Sequence, residues 1–234
     1  MNIKDSTFLI TGGSAGIGRA TAEMIINKGG KVAITGRDKD KLEKVADKLG
    51  ALAIHADVAD ETDVKKTFDQ FNKKYDKLDC LINNAGIGGS WNDVFNLTYK
   101  DFMDVYSVNV FGAAMMAKYA ANIFKKQNYG NIINVASTAA LKGFGNGTVY
   151  SSSKFALKGM TQFWQAELRK HNVRVILVNP SEVKTAFGEE DRKEREEVPN
   201  KLRGEEIAHT IVSTLEMDDR GFIPEVTVFA TNPF

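Results

Sequence analysis

Cysteine occurs once in 234 residues, at Cys80, so an intramolecular disulfide framework and a thiolate metal centre are both excluded. Cys80 sits in the apolar run 78–82 and reads as a small buried thiol. The three histidines, His55, His171 and His209, share no metal-ligand spacing; no metal is expected, and surface or structural roles suit them. Prolines number four, and none falls between two domain-sized blocks. With no repeat, low-complexity tract or linker either, a single domain is expected over residues 1–234. Net charge is nearly absent: 31 basic against 30 acidic residues leave +1, which offers no long-range field for nucleic acid or anionic lipid. No long hydrophobic run suggests a membrane span, and Met1 to Ser6 carry no apolar signal core. A cytoplasmic protein is the expectation.

What is present is a regular alternation. Apolar or β-branched runs too short for helices recur at 7–11, 31–35, 51–54, 78–82, 131–136, 173–179 and 222–229. Helical periodicity lies between them. Val64, Phe68, Phe71 and Tyr75 form one apolar stripe, and Ile207, Ile211 and Leu215 repeat it. Strands alternating with amphipathic helices predict a Rossmann-type, doubly wound α/β fold in three layers, with a mainly parallel seven-stranded sheet covered on both faces. Ligands then bind beyond the carboxyl ends of the strands. One composition shift, the charged stretch 188–197, reads as a solvated helix or loop, or as part of a substrate lid over about 185–203.

Directly after the first run comes Thr11-Gly12-Gly13-Ser14-Ala15-Gly16-Ile17-Gly18, opening into a helical pattern. Glycines permit a tight turn and close backbone approach, and a helix amino terminus offers N–H groups to a pyrophosphate, which makes Ser14 and Ile17 expected contacts with their glycine neighbours. A glycine cluster alone also serves ordinary turns; the order strand, turn, helix gives this one its meaning. The second run ends at Gly36, followed by Arg37 and Asp38. An acidic residue at that tip would accept from a ribose 2′-hydroxyl, whereas Arg37 suits the 2′-phosphate of NADP(H). NADP(H) is favoured, with NAD(H) the alternative that Asp38 keeps open.

After the fifth run stands Ser137, and thirteen residues on, Tyr150 and Lys154 begin a helical segment. Residues four apart share a helix face. A phenol titrates near ~10. An ammonium about 4 Å away, at an effective dielectric of about 20, would stabilise its anion by roughly 4 kcal/mol, lowering the phenol by as much as about three pH units. Ser137 would hold a substrate oxygen for proton transfer.

These motifs together resemble the classical short-chain dehydrogenase/reductase family over nearly the whole chain. The resemblance implies an oxidoreductase acting on CH–OH and C=O groups. Thr11, Gly12, Gly16 and Gly18 match its glycine signature, and Asp57 and Val58 match the pair framing the adenine. Asn83, Ala85 and Gly86 lie in a run resembling the family's adenosine-side signature. Asn109 matches an asparagine of the proton relay; Ser137, Tyr150 and Lys154 match the catalytic groups, the last two also touching cofactor; Pro180, Val183 and Thr185 match the nicotinamide segment. Ser181 replaces the usual glycine there, and the carboxyl end lacks the glycine-rich close of the bacterial ketoacyl-carrier-protein reductases, which disfavours an acyl-carrier-protein substrate. The family also implies a homodimer or homotetramer, and Phe155, Met160, Phe163 and Trp164 spread apolar surface around more of one helix than a single buried stripe needs. A small or medium carbonyl or alcohol is the expected substrate, with Trp91, Phe144 and Phe187 as apolar contacts. An NAD-linked alcohol dehydrogenase is one alternative; a non-catalytic NADP-binding regulator or scaffold is another.

Overall fold

Neighbouring apolar residues along the central strands bury on opposite faces. Phe8 and Ile10 enter one core while Leu9 between them enters the other, and Ile133 and Ile132, then Ile176 and Val175, repeat the division. A strand buried on both faces reads as a continuous apolar run because successive side chains point to opposite sides. The computed structural model describes residues 1–185, 187 and 198–232; most of the expected lid over 185–203, with the charged stretch 188–197, lies outside the described residues.

The elements are β1 (Thr7–Ile10), α1 (Gly16–Asn27), β2 (Lys31–Gly36), α2 (Lys39–Leu49), β3 (Leu52–His55), α3 (Glu61–Lys74), β4 (Cys80–Asn83), α4 (Tyr99–Tyr106), α5 (Ala113–Gln127), β5 (Gly130–Val135), α6 (Thr148–Leu168), β6 (Val173–Pro180), α7 (Gly204–Glu216) and β7 (Glu225–Val228). All the strands pair in parallel in the order β3-β2-β1-β4-β5-β6-β7, a Rossmann-type, doubly wound sheet. The last strand is shorter than its apolar run, for Pro224 has no N–H to contribute to the ladder; its carbonyl instead accepts from Leu177 N.

Local chemistry sets the helix boundaries. Asp38 caps α2 by accepting from Lys41 N, and the helix ends at Gly50 in the left-handed region; Asp60 caps α3 from two backbone amides. The expected stripe on α3 is buried at Val64, Phe68 and Phe71. Between α4 and α5, Ser107–Gly112 widens into a π-turn, an insertion often found at functional sites. Among the described residues no helix is long and apolar enough to cross a membrane.

Arg174 on β6 fixes α7, and α7 in turn supports the glycine turn. The buried guanidinium donates to Asn131 Oδ1 at 2.7 Å and to the carbonyls of Leu215, Met217 and Gly221 at 3.1, 3.1 and 3.3 Å. At the other end of α7, Gly204 lies so close to Gly16 that a Cβ would stand 3.1 Å from the Gly16 carbonyl carbon. Arg174→Met would strip Asn131 Oδ1 and the Gly221 carbonyl of their cationic donor, while the Leu215 and Met217 carbonyls keep the amino-terminal ammonium at 2.7 and 2.9 Å, at a cost of about 3 kcal/mol. The expected result is a melting temperature lower by about 6–12 °C in a calorimetric scan; an unchanged melt would show that the amino-terminal ammonium holds the end of α7 without Arg174.

Candidate active site

Strand order reverses between β1 and β4, and a cleft of about 980 Å³ opens across their carboxyl ends. Thr11 and Asn84 hold its two lips together. Thr11 Oγ1 accepts from the amides of Asn84 and Ala85, both at 3.0 Å. In return Asn84 Nδ2 donates to the carbonyls of Thr11 and Gly12 at 2.9 and 3.1 Å. Thr11 itself is buried, so it shapes the turn from beneath.

Ser14, Ala15, Gly16 and Ile17 line the cleft where α1 begins. Gly16 has φ +49°, and a Cβ there would meet the Thr185 side chain at 2.9 Å, so only glycine suits it. At Gly18 a Cβ would collide with the Gly12 carbonyl. Ala15, which precedes α1, makes no side-chain cap, and the first turn has no acidic residue, so the positive end of the helix dipole faces the cleft. That arrangement fits a pyrophosphate.

At the far end, Gly36, Arg37, Asp38, Lys41, Asp57 and Val58 line the same cleft. Arg37 Nη1 stands 3.9 Å from Asp57 Oδ2, with both side chains partly in solvent. His55 Nε2 shares a hydrogen bond with the Arg37 carbonyl at 2.9 Å. Asp38 is occupied as the α2 cap. Two cationic side chains, Arg37 and Lys41, therefore meet the cleft where a 2′-substituent would lie.

The other end carries acid–base chemistry. Tyr150 and Lys154 lie one turn apart on α6, and both line the cleft with Ser137, which stands just after β5. Burial of the Tyr150 phenol pushes its pKa up and outweighs the neighbouring Ser137 hydroxyl, which favours the phenolate. This corrects the expectation of a lysine-lowered phenol. Lys154 Nζ donates to the Val135 carbonyl at 3.1 Å and lies 5.8 Å from the Tyr150 ring centroid, and its own burial lowers it to about 8. Spacing on a helix face could not show that both groups are desolvated together.

Asn83 and Asn109 lie outside the cleft lining. Asn83, the last residue of β4, turns into the sheet and donates to the Ala113 carbonyl at 3.1 Å and to Asn134 Oδ1 at 3.0 Å; its neighbour Asn84 takes the place at the cleft. Asn109, in the π-turn, holds the loop after β4: its Oδ1 accepts from Ile87 N, and its Nδ2 donates to the Ile87 carbonyl and to Ser153 Oγ. A Cβ at Gly86 would stand 3.4 Å from Asn109 Oδ1 and 3.5 Å from Lys154 Nζ, so three elements converge there. Ala85, Pro180, Val183 and Thr185 line the cleft as the motifs suggest, and Trp91 and Phe187 pack against Tyr150 with Phe144 beyond Trp91. Sequence reading missed Lys41 and Phe229 as cleft residues; Lys41 had one signal, its place in the first turn of a helix capped beside Arg37.

Comparison with known proteins agrees with this geometry. The family model for short chain dehydrogenases matches residues 6–196. A human 3-oxoacyl-[acyl-carrier-protein] reductase is 34% identical over 218 residues, covering 91% of this chain and 92% of that protein. The crystal structure of a 3-ketoacyl-(acyl-carrier-protein) reductase from Brucella melitensis complexed with NADH superposes with a TM-score of 0.89 at 27% identity, over 99% of this chain and 100% of the other. An alcohol dehydrogenase from the archaeon Thermococcus sibiricus complexed with 5-hydroxy-NADP also gives 0.89, at 25% identity and 97% coverage of each chain. With its sheet order, glycine turn and Ser-Tyr-Lys constellation all in place, this chain belongs to the short-chain dehydrogenase family of oxidoreductases.

Proposed function

We propose that the protein is an NADP(H)-dependent oxidoreductase that interconverts a small or medium carbonyl compound and its alcohol. The observation that carries this reading is one continuous cleft with Arg37 and Lys41 at one end and Ser137, Tyr150 and Lys154 at the other. The glycine turn and the α1 terminus would hold the pyrophosphate, Asp57 and Val58 the adenine side, Arg37 and Lys41 the 2′-phosphate, and Val183 and Thr185 the nicotinamide end, with Tyr150 and Lys154 near its ribose. When bound, the reduced cofactor supplies the hydride.

The chain's own residues manage the oxygen. Ser137 and Tyr150 hydrogen-bond the substrate carbonyl, and Tyr150 gives its phenolic proton to the oxygen as the carbonyl carbon gains hydride, so the C=O double bond becomes a CH–OH group. A phenol raised by burial stays protonated across the neutral range and is poised as an acid. Lys154 is the cation a developing phenolate meets, and its affinity near 8 keeps its proton exchangeable at neutral pH. Asn109 would take part in proton return from the π-turn that it ties to Ile87 and Ser153.

A pH profile tests these roles. Lys154 must be charged and Tyr150 protonated for reduction, so kcat/KM is expected to hold through neutral pH and fall above about 8, where Lys154 loses its proton. A profile flat to the far alkaline side would remove Lys154 from the reaction. The substrate panel should include a ketoacyl thioester beside simple ketones, since carrier-protein reductases are among the relatives. NADP(H) is preferred over NAD(H) because β2 ends at Gly36 and is followed by Arg37, not by a carboxylate. The active form is a homodimer or homotetramer, supported by solvent-facing Phe111 beside α5 and Phe155 and Phe163 on α6.

A further inference from the structure

Two aromatic rings pack against Tyr150, and a third extends their wall. Trp91 meets Tyr150 edge-on with centroids 5.6 Å apart, Phe187 tilts against it at 5.6 Å, and Phe144 extends the wall 6.0 Å beyond Trp91. They come from three separate segments. Gly88 lets both Trp91 and Phe187 pack over it, since a Cβ there would stand 3.1 Å from Trp91 Cζ2 and 3.4 Å from Phe187 Cε1. We infer that Trp91, Phe144 and Phe187 form a slot selective for a flat, uncharged, ring-bearing ketone, aryl or fused-ring, whose plane lies against these walls while its oxygen meets Tyr150. The inference rests on the carbonyl-reducing reading above and names its substrate class.

Solvent exposure and charge both favour this class. Trp91 is 47% and Phe144 51% exposed, so each presents ring area at the cleft that a planar ligand would cover. Offset or edge contacts between rings exceed plain area burial, whereas a polyhydroxylated substrate would press unpaired hydroxyls against ring faces. Glu182, which also lines the cleft, is held by Lys184 and Lys201 at 2.9 Å each, so its charge is already matched. Lys142 lines the cleft but is exposed to solvent.

The test is binding to protein saturated with NADP+, where ketones bind without turnover. Titration calorimetry with 1-tetralone and 2-octanone should show the ring ketone at least about tenfold tighter. Trp91→Ala and Phe187→Ala should each weaken 1-tetralone by about tenfold and 2-octanone by less than about threefold. Gly88→Ala, which shifts both rings without removing either, should narrow the ratio in the same direction and serves as the second variant. Equal affinity for the two ketones, or variants that weaken both alike, would overturn the slot. So would acetophenone binding no tighter than its para-carboxylate. Turnover with NADPH, measured separately, keeps the two readings apart. Selective binding of 1-tetralone without its reduction supports the slot and counts against the reductase; reduction of both ketones with equal efficiency does the reverse.

Discussion

Tyr150→Phe lowers kcat for carbonyl reduction by about 10³- to 10⁴-fold and leaves NADPH affinity within about twofold. The substitution removes one hydroxyl from a ring that Trp91 and Phe187 still hold in place, so the cleft keeps its shape and loses only its acid. Ser137 retains its own hydrogen bond from Ala139 N at 3.1 Å and can still receive a carbonyl, but it has no means of protonating the product oxygen. Parallel loss of NADPH binding would indicate collapse of the site, and retained turnover would remove Tyr150 from the chemistry. Stopped-flow reduction together with a fluorescence titration separates these outcomes.

Arg37→Asp reverses the cofactor preference, changing the ratio of NADPH to NADH affinity by about 10³. Charge-assisted bonds from a guanidinium to a phosphate contribute about 1.5–3 kcal/mol each, and a carboxylate in its place adds repulsion toward the 2′-phosphate while offering an acceptor to a 2′-hydroxyl. Asp57, now 3.9 Å from Arg37 Nη1, would face a second carboxylate, which strengthens the repulsion. NADPH weakens and NADH holds or improves. Equal weakening of both nucleotides would mean that Arg37 supports the turn after β2 and does not read the 2′ position.

The sheet was legible because burial on both faces leaves uninterrupted apolar runs, and the glycine turn because backbone crowding at Gly16 and Gly18 admits no side chain. The catalytic end was legible as a spacing. Its electrostatics were not, since the sign of the Tyr150 shift depends on how deeply α6 buries the phenol, a property of tertiary packing. Asn83 and Asn84 show the same limit. Both are asparagines at the end of β4, and only the face on which the strand ends decides which turns into the sheet and which reaches Thr11 and Gly12. The π-turn at Ser107–Gly112 has no residue that marks it, and Asn109 acquires its structural task only once Ile87 and Ser153 are brought against it. Gly88 likewise has no meaning in the sequence until Phe187 arrives from far along the chain to pack over it beside Trp91 of its own loop.

Hydride transfer on this site is tested most directly by isotope. NADPH carrying deuterium on the transferring face of its nicotinamide is incubated with the protein and a ring ketone, and the product alcohol is examined by mass spectrometry. The expected result is one deuterium on the carbinol carbon with the parent protein and none with Tyr150→Phe over the same time. Bound NADPH with no deuterium in any product from a broad ketone and thioester panel would contradict the reductase reading and leave a nucleotide-binding protein with a silent catalytic site.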